Sequence, residues 1–278
     1  MNHTNDLYNR WLAQPDLDDA VKAELVSIAG DAAAVTDRFY RDLEFGTGGL
    51  RGVIGAGTNR MNIYVIRRAT QAVADYLNET DLPKTVAIGH DSRIKSDVFA
   101  REAAAVFAAN GITAYLYPRL EPVPALSFAV RHLGCGLGIC VTASHNPAAY
   151  NGYKVYNDQG GQITDEAAKE ISDNIANADP FKAFAGAMDF DEALERGLVE
   201  WTPEEVLDSF IDNIKKVSVP GFKASDGYKV VYTPLNGTGM ECVTRILKEI
   251  GIENVYVVRE QELPDPNFST VKVPNPED

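Results

Sequence analysis

The alternation of apolar runs with helical segments constrains the fold of this chain more than any other feature of its sequence. Apolar runs of the length of a buried strand occur at Thr85–Gly89, Ile112–Tyr117 and Gly136–Thr142. Helical patterns lie between them at Ser96–Asn110 and Val123–His132, and the first is followed by a glycine that favours a helix end. Strands that alternate with helices predict a three-layer α/β/α domain with a mixed, mostly parallel sheet.

The residues before these strands predict a helical extension and a glycine-rich loop. From Asn5 to about Arg38, apolar residues recur at steps of three and four, which is the spacing of amphipathic helices. The loop FGTGGLRGVIGAG follows at Phe45–Gly57, and helical spacing returns at Tyr64–Asn78. We therefore expect residues 1–44 to form a helical N-terminal extension and the loop to open onto a helix.

Beyond these elements, the pattern predicts a domain boundary near residue 200. A short strand at Tyr153–Tyr156 and a helix at Thr164–Ala178 precede a less regular segment, Asp179–Trp201. A helix start at Thr202–Glu205 then opens a second unit. Its strand, helix and strand are predicted at Lys229–Thr233, Gly239–Ile250 and Val255–Val258. The expected domains are 45–200 and 201–278, and the second is an incomplete α/β domain because the alternation has only just restarted.

Charge and hydrophobicity exclude several classes of partner. The 40 acidic side chains outnumber the 26 basic ones, and the net charge of -14 disfavours nucleic acid and anionic membranes. The start of the chain lacks a signal-peptide pattern, and no run reaches about 18 apolar residues. We therefore expect a cytoplasmic protein. Cys135, Cys140 and Cys242 lie in apolar stretches without metal-type pairing, which fits buried thiols in a reducing compartment.

The segment TASHNP, Thr142–Pro147, is the strongest candidate for chemistry. It follows a predicted buried strand, and open α/β sheets bind ligands at the carboxyl ends of their strands. The Ser144 hydroxyl there could accept a phosphoryl group, with His145 and Lys154 near enough in sequence to donate hydrogen bonds or move a proton. The residue types alone leave open that Ser144 and Asn146 only form a turn. A serine hydrolase is disfavoured because there is no G-x-S-x-G elbow and an adjacent Ser-His pair is not a triad.

Further segments carry a family resemblance. TASHNP is followed by NGYKVY, and FGTGGLRG stands at Phe45–Gly52, IGHDSR at Ile88–Arg93, TPLNGTG at Thr233–Gly239 and PDPNFSTVKVPNPED at the end of the chain. In this order they resemble the active-site landmarks of the α-D-phosphohexomutases, the phosphoglucomutase/phosphomannomutase family. The extension before FGTGGLRG is similar to the longer phosphoglucomutase/phosphopentomutase type. The resemblance implies an isomerase of carbohydrate metabolism that interconverts hexose 1-phosphate and hexose 6-phosphate through a bisphosphate intermediate, with glucose as the first choice of sugar.

The resemblance also implies roles for the matching residues. Ser144 would carry the phosphoryl group as phosphoserine, and Arg51 would hold that group by bidentate hydrogen bonds, which lysine cannot form. His145 and Lys154 would move a proton or polarise the sugar hydroxyl, and Asn146 would contact the substrate phosphate. Without the resemblance, Arg51 is a surface residue of a flexible loop, His145 a turn residue and Lys154 a strand-edge lysine.

Asp91 and Arg93 are weaker candidates. They follow a predicted strand that neighbours the one before Ser144. We expect them to form a buried ion pair that supports the Ser144 loop from the neighbouring strand end.

The expected cofactor is Mg²⁺, and the expected activator is glucose 1,6-bisphosphate. In the family the metal is held by a phosphoserine oxygen, here that of Ser144, and by three aspartates of a D-x-D-x-D-R loop. No such loop occurs in this sequence. We expect those aspartates beyond Asp278, which makes the chain an N-terminal portion with little activity alone. The family's TPLHGTG has a histidine where this chain has Asn236.

An alternative hypothesis of another class is a non-catalytic short form that binds phosphosugars or regulates another mutase chain. A reading frame that continues past Asp278 into D-x-D-x-D-R would favour the enzyme. Sugar phosphates are the expected partners under either hypothesis. Mannose and pentose phosphates remain open beside glucose phosphate, and an exposed sheet edge makes an oligomer possible.

Overall fold

The computed structural model describes residues 2–182, 188–219, 221, 224–225, 227–275 and 277. Its helices are α1 (Asn2–Leu12), α2 (Asp19–Ser27), α3 (Ala32–Phe39), α4 (Ile63–Glu79), α5 (Ser96–Ala109), α6 (Val123–His132), α7 (Asp165–Asn177), α8 (Phe190–Glu195), α9 (Glu204–Lys215) and α10 (Met240–Glu249). Its strands are β1 (Gly49–Val53), β2 (Thr85–His90), β3 (Thr113–Leu116), β4 (Leu137–Val141), β5 (Tyr150–Asn157), β6 (Val199–Trp201), β7 (Lys229–Tyr232) and β8 (Asn254–Val257). No helix in the described part of the chain has the length and apolar character needed to cross a bilayer.

A six-stranded sheet in the order β1-β5-β4-β2-β3-β6 forms the centre of the first unit. Strand β2 pairs in parallel with β3 and β4, and β3 pairs in parallel with β6. Strand β5 runs antiparallel to both β4 and β1. The predicted mixed, mostly parallel sheet is therefore confirmed.

Helices cover both faces of this sheet. Val86 and Ile88 of β2 pack in one cluster with apolar residues of α4, α5 and α7. Ala87, which lies between them and points to the opposite face, packs with residues of α6. All five residues of β4 are buried, as expected for a strand covered on both faces. The predicted three-layer α/β/α arrangement is confirmed by these two clusters.

The glycine-rich segment is not only a loop, which corrects the prediction for Phe45–Gly57. Strand β1 lies within it and pairs antiparallel with β5, which is itself longer than the predicted Tyr153–Tyr156. The approach is close at Gly49, whose φ is 120° and where a Cβ would lie 1.9 Å from the carbonyl oxygen of Tyr153. Glycine is needed there for both reasons. Sequence patterns missed the strand because glycines are rare in strands and its partner lies far along the chain.

The segment Asp179–Trp201 is more regular than the sequence predicts. It contains the short helix α8 and strand β6, and β6 adds a sixth strand to the sheet beside β3. Residues 183–187, which the prediction also covers, lie outside the described residues. A strand of three residues that includes Glu200 and Trp201 carries too little apolar periodicity to be recognised.

The first three helices pack as a separate apolar cluster against the start of α4. Trp11 and Phe39 are almost fully buried there, and their rings meet edge to face at 5.8 Å between centroids. Asp18 and Asp31 cap the second and third helices by accepting hydrogen bonds from backbone amides. The side chain of Glu24 on α2 accepts a hydrogen bond from the amide of Ala56. The N-terminal helices thereby hold the turn that follows β1.

The second unit begins against the first. Helix α9 packs on α6, and Leu207 and Ile211 share an apolar cluster with Ala125 and with Cys242 of α10. Strands β7 and β8 pair in parallel beside α10. The strand-helix-strand pattern predicted for this region is confirmed.

Candidate active site

The segment that contains Ser144 connects β4 to β5 at the edge of the sheet where the parallel strands end. Ser144 is exposed and has a φ of 55°, in the left-handed region that few residues other than glycine adopt. Its amide donates a hydrogen bond to Oγ1 of Thr142 at 2.9 Å, and the amide of Asn146 donates to the carbonyl of Ala143 at 3.1 Å. We call residues 142–149 the Ser144 loop.

The buried side chain of Arg93 holds the Ser144 loop in place through hydrogen bonds to backbone carbonyls. The side chain of Arg93 has no exposed area, and its guanidinium donates hydrogen bonds to four backbone carbonyls of the loop and of the residue after it. These are the carbonyls of Ser144, Asn146, Pro147 and Tyr150, at 2.7, 2.5, 3.0 and 3.0 Å. Nε of Arg93 lies 3.4 Å from the carboxylate of Asp91, so the predicted ion pair is present, with Arg93 buried and Asp91 half-buried. A planar fork with five donors is the side chain that can hold so many carbonyls at once.

Asp91 supports the loop through a second route. One of its oxygens accepts hydrogen bonds from the amide of Arg93 and the hydroxyl of Ser96, and the other accepts one from the hydroxyl of Thr142 at 2.6 Å. The Thr142 hydroxyl in turn accepts the amide hydrogen of Ser144. A chain of hydrogen bonds therefore connects the end of β2 to the backbone of Ser144.

The pairing of β1 with β5 brings Arg51 and Lys154 to the same face of the sheet. Arg51 lies opposite Gly152, and Lys154 lies opposite Gly49. Paired residues point to the same face, and so do residues two apart along a strand. Arg51 and Lys154 are therefore diagonal neighbours across the two strands.

Three of the predicted site residues line one cavity of about 480 Å³. Arg51, Ser144 and Lys154 border it, together with the glycine-rich turn before β1. His145 and Asn146 are not among its lining residues. His145 is exposed, and Oδ1 of Asn146 is buried without a hydrogen-bond partner.

The cavity also contains polar residues that the sequence patterns did not single out. These are Glu44, Thr47, Thr142 and Gln162. Thr142 was within the predicted motif but had no role assigned to it. Gln162 reaches the cavity because it pairs with Tyr156 beyond the end of β5, and no spacing in the sequence indicates that contact.

Burial controls the ionisation of the groups beneath the site. Burial raises the pKa of the Cys140 thiol to about 12; the charge of Asp91 adds to this and that of Lys154 opposes it, so the thiol stays protonated. Burial lowers the pKa of the Arg93 guanidinium, and the Asp91 carboxylate opposes this shift. Because an arginine starts from a pKa above about 12, Arg93 remains a cation at neutral pH.

The described side chains do not form a complete site for Mg²⁺. Among the described residues, no group of three or more His, Cys, Asp or Glu side chains is placed to hold a metal ion. The Asp91 carboxylate is already occupied by Arg93, Ser96 and Thr142. A phosphorylated Ser144 would supply one ligand.

Comparison with protein families covers most of the chain. Residues 42–182 match "Phosphoglucomutase/phosphomannomutase, alpha/beta/alpha domain I", and residues 208–278 match the corresponding domain II. A solved structure from Thermus thermophilus, assigned there as a phosphomannomutase, superposes with a TM-score of 0.66 at 29% identity. It covers 83% of this chain and 48% of its own.

Curated relatives agree with the family match. A phosphoglucomutase of Staphylococcus saprophyticus is 40% identical over 85% of this chain and 42% of its own length. A phosphoribomutase of Saccharomyces cerevisiae is 39% identical over 87% of this chain and 41% of its own length. The chain therefore spans less than half the length of these relatives.

Proposed function

Because the chain belongs to the phosphoglucomutase/phosphomannomutase family, we propose that it carries the phosphoryl-transfer nucleophile of a phosphosugar mutase, with Ser144 as that nucleophile. The observation that supports this best is the single cavity lined by Ser144, Arg51 and Lys154. Two cations and one exposed hydroxyl in one cavity are suited to a phosphate dianion.

The proposed step exchanges a phosphoryl group between two oxygens. The hydroxyl oxygen of a sugar phosphate attacks the phosphorus of phosphorylated Ser144, and the bond from phosphorus to Ser144 Oγ breaks. The proton of the sugar hydroxyl is transferred to Ser144 Oγ, so the products are a sugar bisphosphate and the free serine. The bisphosphate then returns its other phosphoryl group by the reverse step.

The other predicted site residues have roles in this step. Arg51 holds the phosphoryl oxygens by a bidentate contact, and the Lys154 ammonium donates a proton to the leaving Ser144 Oγ and regains one from the sugar hydroxyl. His145 and Asn146 lie on the loop outside the cavity lining; in the proposed step His145 shares in proton transfer or polarisation at the sugar hydroxyl, and Asn146 contacts the substrate phosphate. The left-handed conformation of Ser144 supports the role of nucleophile, because strained backbone at an exposed hydroxyl is a common feature of catalytic turns.

Glucose 1-phosphate and glucose 6-phosphate are the proposed substrates, with glucose 1,6-bisphosphate as activator. A pentose phosphate is the second candidate, which the 39% identity to the yeast phosphoribomutase favours. The preference between the two sugar phosphates is measured with the same phosphorylation assay that tests the role of Ser144.

The experiment follows the mass of the protein expressed from the complete reading frame. It is incubated with Mg²⁺ and glucose 1,6-bisphosphate, and then with glucose 1-phosphate or ribose 1-phosphate. We expect a gain of about 80 Da, one phosphoryl group, localised to Ser144, and its loss on addition of the preferred monophosphate.

Ser144→Ala removes the nucleophile and should abolish the mass change, whereas Ser218→Ala, at an exposed serine outside the cavity, should not. Arg51→Lys keeps the charge but loses the fork, and we expect it to slow phosphorylation by about a hundredfold. Phosphorylation that persists in Ser144→Ala, or that is absent from the unchanged protein, would contradict the proposed function.

A further inference from the structure

The guanidinium of Arg93 has a second contact besides those with the Ser144 loop. Its central carbon lies 5.1 Å from the centroid of the Phe268 ring. Arg93 belongs to the first unit, at the end of β2, and Phe268 belongs to the second unit, beyond β8. The buried Arg93 guanidinium therefore contacts both the Ser144 loop and a distant part of the chain.

Phe268 is the buried residue of a segment that is otherwise exposed or half-buried. Residues 261–270 are all described, and among them only Phe268 is buried, with 6% of its surface exposed. Its φ is 51°, a left-handed value that is unfavourable for a side chain of this size. A residue keeps an unfavourable backbone conformation only when the surrounding structure holds it there. The surrounding structure therefore also maintains the contact between the Phe268 ring and Arg93.

Hydrogen bonds fix this segment to the turn TPLNGTG. Asp265 accepts backbone hydrogen bonds from Asn267 and Ser269 on its carboxylate and from Phe268 on its carbonyl. The buried side chain of Asn236 reaches both ends of the segment. It donates to the carbonyl of Leu263 at 2.9 Å and accepts from the hydroxyl of Thr270 at 2.7 Å. Asn236, the residue that differs from the family pattern, thus positions the segment that carries Phe268.

The environment of Arg93 makes the ring contact strong. The side chain has no exposed area. Among the described residues Asp91 is its one carboxylate neighbour, at 3.4 Å from Nε, and this Nε has no hydrogen-bond partner. A desolvated cation gains more from an aromatic face than an exposed one does. The ring also excludes water, which would otherwise compete for the donors that hold the Ser144 loop.

We propose that Phe268 is a positioning residue for Ser144: its ring holds the Arg93 guanidinium in the orientation that fixes the Ser144 loop, so docking of residues 261–270 sets the conformation of the nucleophile. This inference rests on the proposed function only in naming Ser144 the nucleophile. The second unit thereby acts on the first through Arg93.

The test is amide hydrogen exchange, measured by NMR without substrate, in the complete protein and two variants. Phe268→Leu keeps an apolar side chain but removes the aromatic face, and Phe268→Tyr keeps that face. In Phe268→Leu we expect the amides of Ser144 and Asn146 to exchange about fivefold faster, within the range of about 2- to 30-fold that corresponds to one cation–π contact. In Phe268→Tyr the exchange should stay near that of the unchanged protein.

Two controls separate positioning from general destabilisation. The amides of Ile139 and Cys140 in β4 should keep their exchange rates in both variants, and Leu263→Ala, at an exposed position of the same segment, should change none of these amides. Unchanged loop exchange in Phe268→Leu, equal acceleration in β4, or failure of Phe268→Tyr to preserve protection would each overturn the proposal. Because the exchange experiment contains no substrate, it is independent of the phosphorylation assay: a failure to phosphorylate Ser144 in the unchanged protein would contradict the proposed function and leave the exchange result standing.

Discussion

Glu121 provides the most quantitative prediction, because it is a carboxylate buried between the two units. Its side chain is 2% exposed and lies 3.1 Å from Nε of Arg119, and the thiol of Cys242 on α10 donates to its other oxygen at 3.5 Å. Arg119 also binds Glu204 and Glu241, so its charge is shared among three carboxylates. This sharing limits how far Arg119 can stabilise the ionised form of Glu121.

Burial raises the pKa of Glu121 from 4.5 to about 7, and the charge of Arg119 only partly opposes this shift. The folded protein therefore binds the proton more tightly than the unfolded chain does. Stability contributed by the protonated form is present below the unfolded pKa of 4.5 and is lost as the pH rises through about 7. Between pH 5 and pH 8 the loss amounts to about 2 to 3 kcal/mol for this single group.

The perturbation is Glu121→Gln, which keeps the shape of the side chain and removes its ionisation. Urea unfolding of both proteins is followed by the fluorescence of Trp11 and Trp201 at several values of pH. The other titrating groups are common to both proteins, so the difference between their free energies of unfolding isolates Glu121. We expect Glu121→Gln to gain about 2 to 3 kcal/mol relative to the unchanged protein between pH 5 and pH 8.

A fixed offset is expected as well, because glutamine and a protonated glutamate do not make identical hydrogen bonds with Arg119 and Cys242. The account of Glu121 is therefore tested only by how the difference between the two free energies of unfolding changes with pH. Glu205→Gln, at an exposed position of α9, is the matched control for loss of a carboxylate. A difference that is independent of pH, or one in which the unchanged protein gains with rising pH, would refute the account of Glu121.

Three further predictions concern packing and the loop. Trp11→Ala should lower the free energy of unfolding by about 3 to 5 kcal/mol, since Trp11 is 1% exposed, measured by urea denaturation. Gly152→Ala should lower it by about 1 to 3 kcal/mol and shift the amide resonance of Ser144, because the new Cβ would lie 2.5 Å from the carbonyl oxygen of Thr142. Thr142→Val should slow phosphorylation of Ser144 and cost about 1 to 3 kcal/mol, because it leaves the Ser144 amide without its acceptor.

Each of these has a matched control. Trp201→Ala, at a tryptophan that is 39% exposed, should cost clearly less than Trp11→Ala. Gly161→Ala places its Cβ no closer than 3.7 Å to a neighbour and should have little effect; equal effects at Gly152 and Gly161 would contradict the steric argument. Thr142→Ser restores the hydroxyl, and a Thr142→Ser protein as slow as Thr142→Val would show that the hydroxyl is not the cause.

Local sequence patterns were sufficient for most of the fold. Helix Val123–His132 has the predicted bounds, and the predicted strand Thr85–Gly89 differs from β2 by one residue. These elements are recognisable because each carries its own periodicity, apolar runs for buried strands and three- and four-residue steps for helices. Strands β1 and β6 were missed because their stability comes from partners elsewhere in the chain, and neither has an apolar run of its own.

The predicted site residues also divide into those that the structure brings together and those that it does not. The motifs TASHNP, NGYKVY and FGTGGLRG and their family resemblance predicted Ser144, Lys154 and Arg51 as site residues, and the structure brings these three to one cavity. His145 and Asn146, chosen from the same motif, lie outside its lining. Adjacent residues of a tight loop point in different directions, so proximity in sequence does not decide which side chain faces a cavity.

The sequence alone determined the alternation of strands and helices, the position of the serine loop after a buried strand, and the family. Only the tertiary structure decided that Arg51 and Lys154 share a face, that Gln162 borders the cavity, and that Arg93 also contacts Phe268. The physical reason is register: a slip of one residue between β1 and β5 would turn Arg51 to the opposite face while leaving every local pattern unchanged. Contacts between distant segments depend on the packing of the whole chain, which no local pattern records.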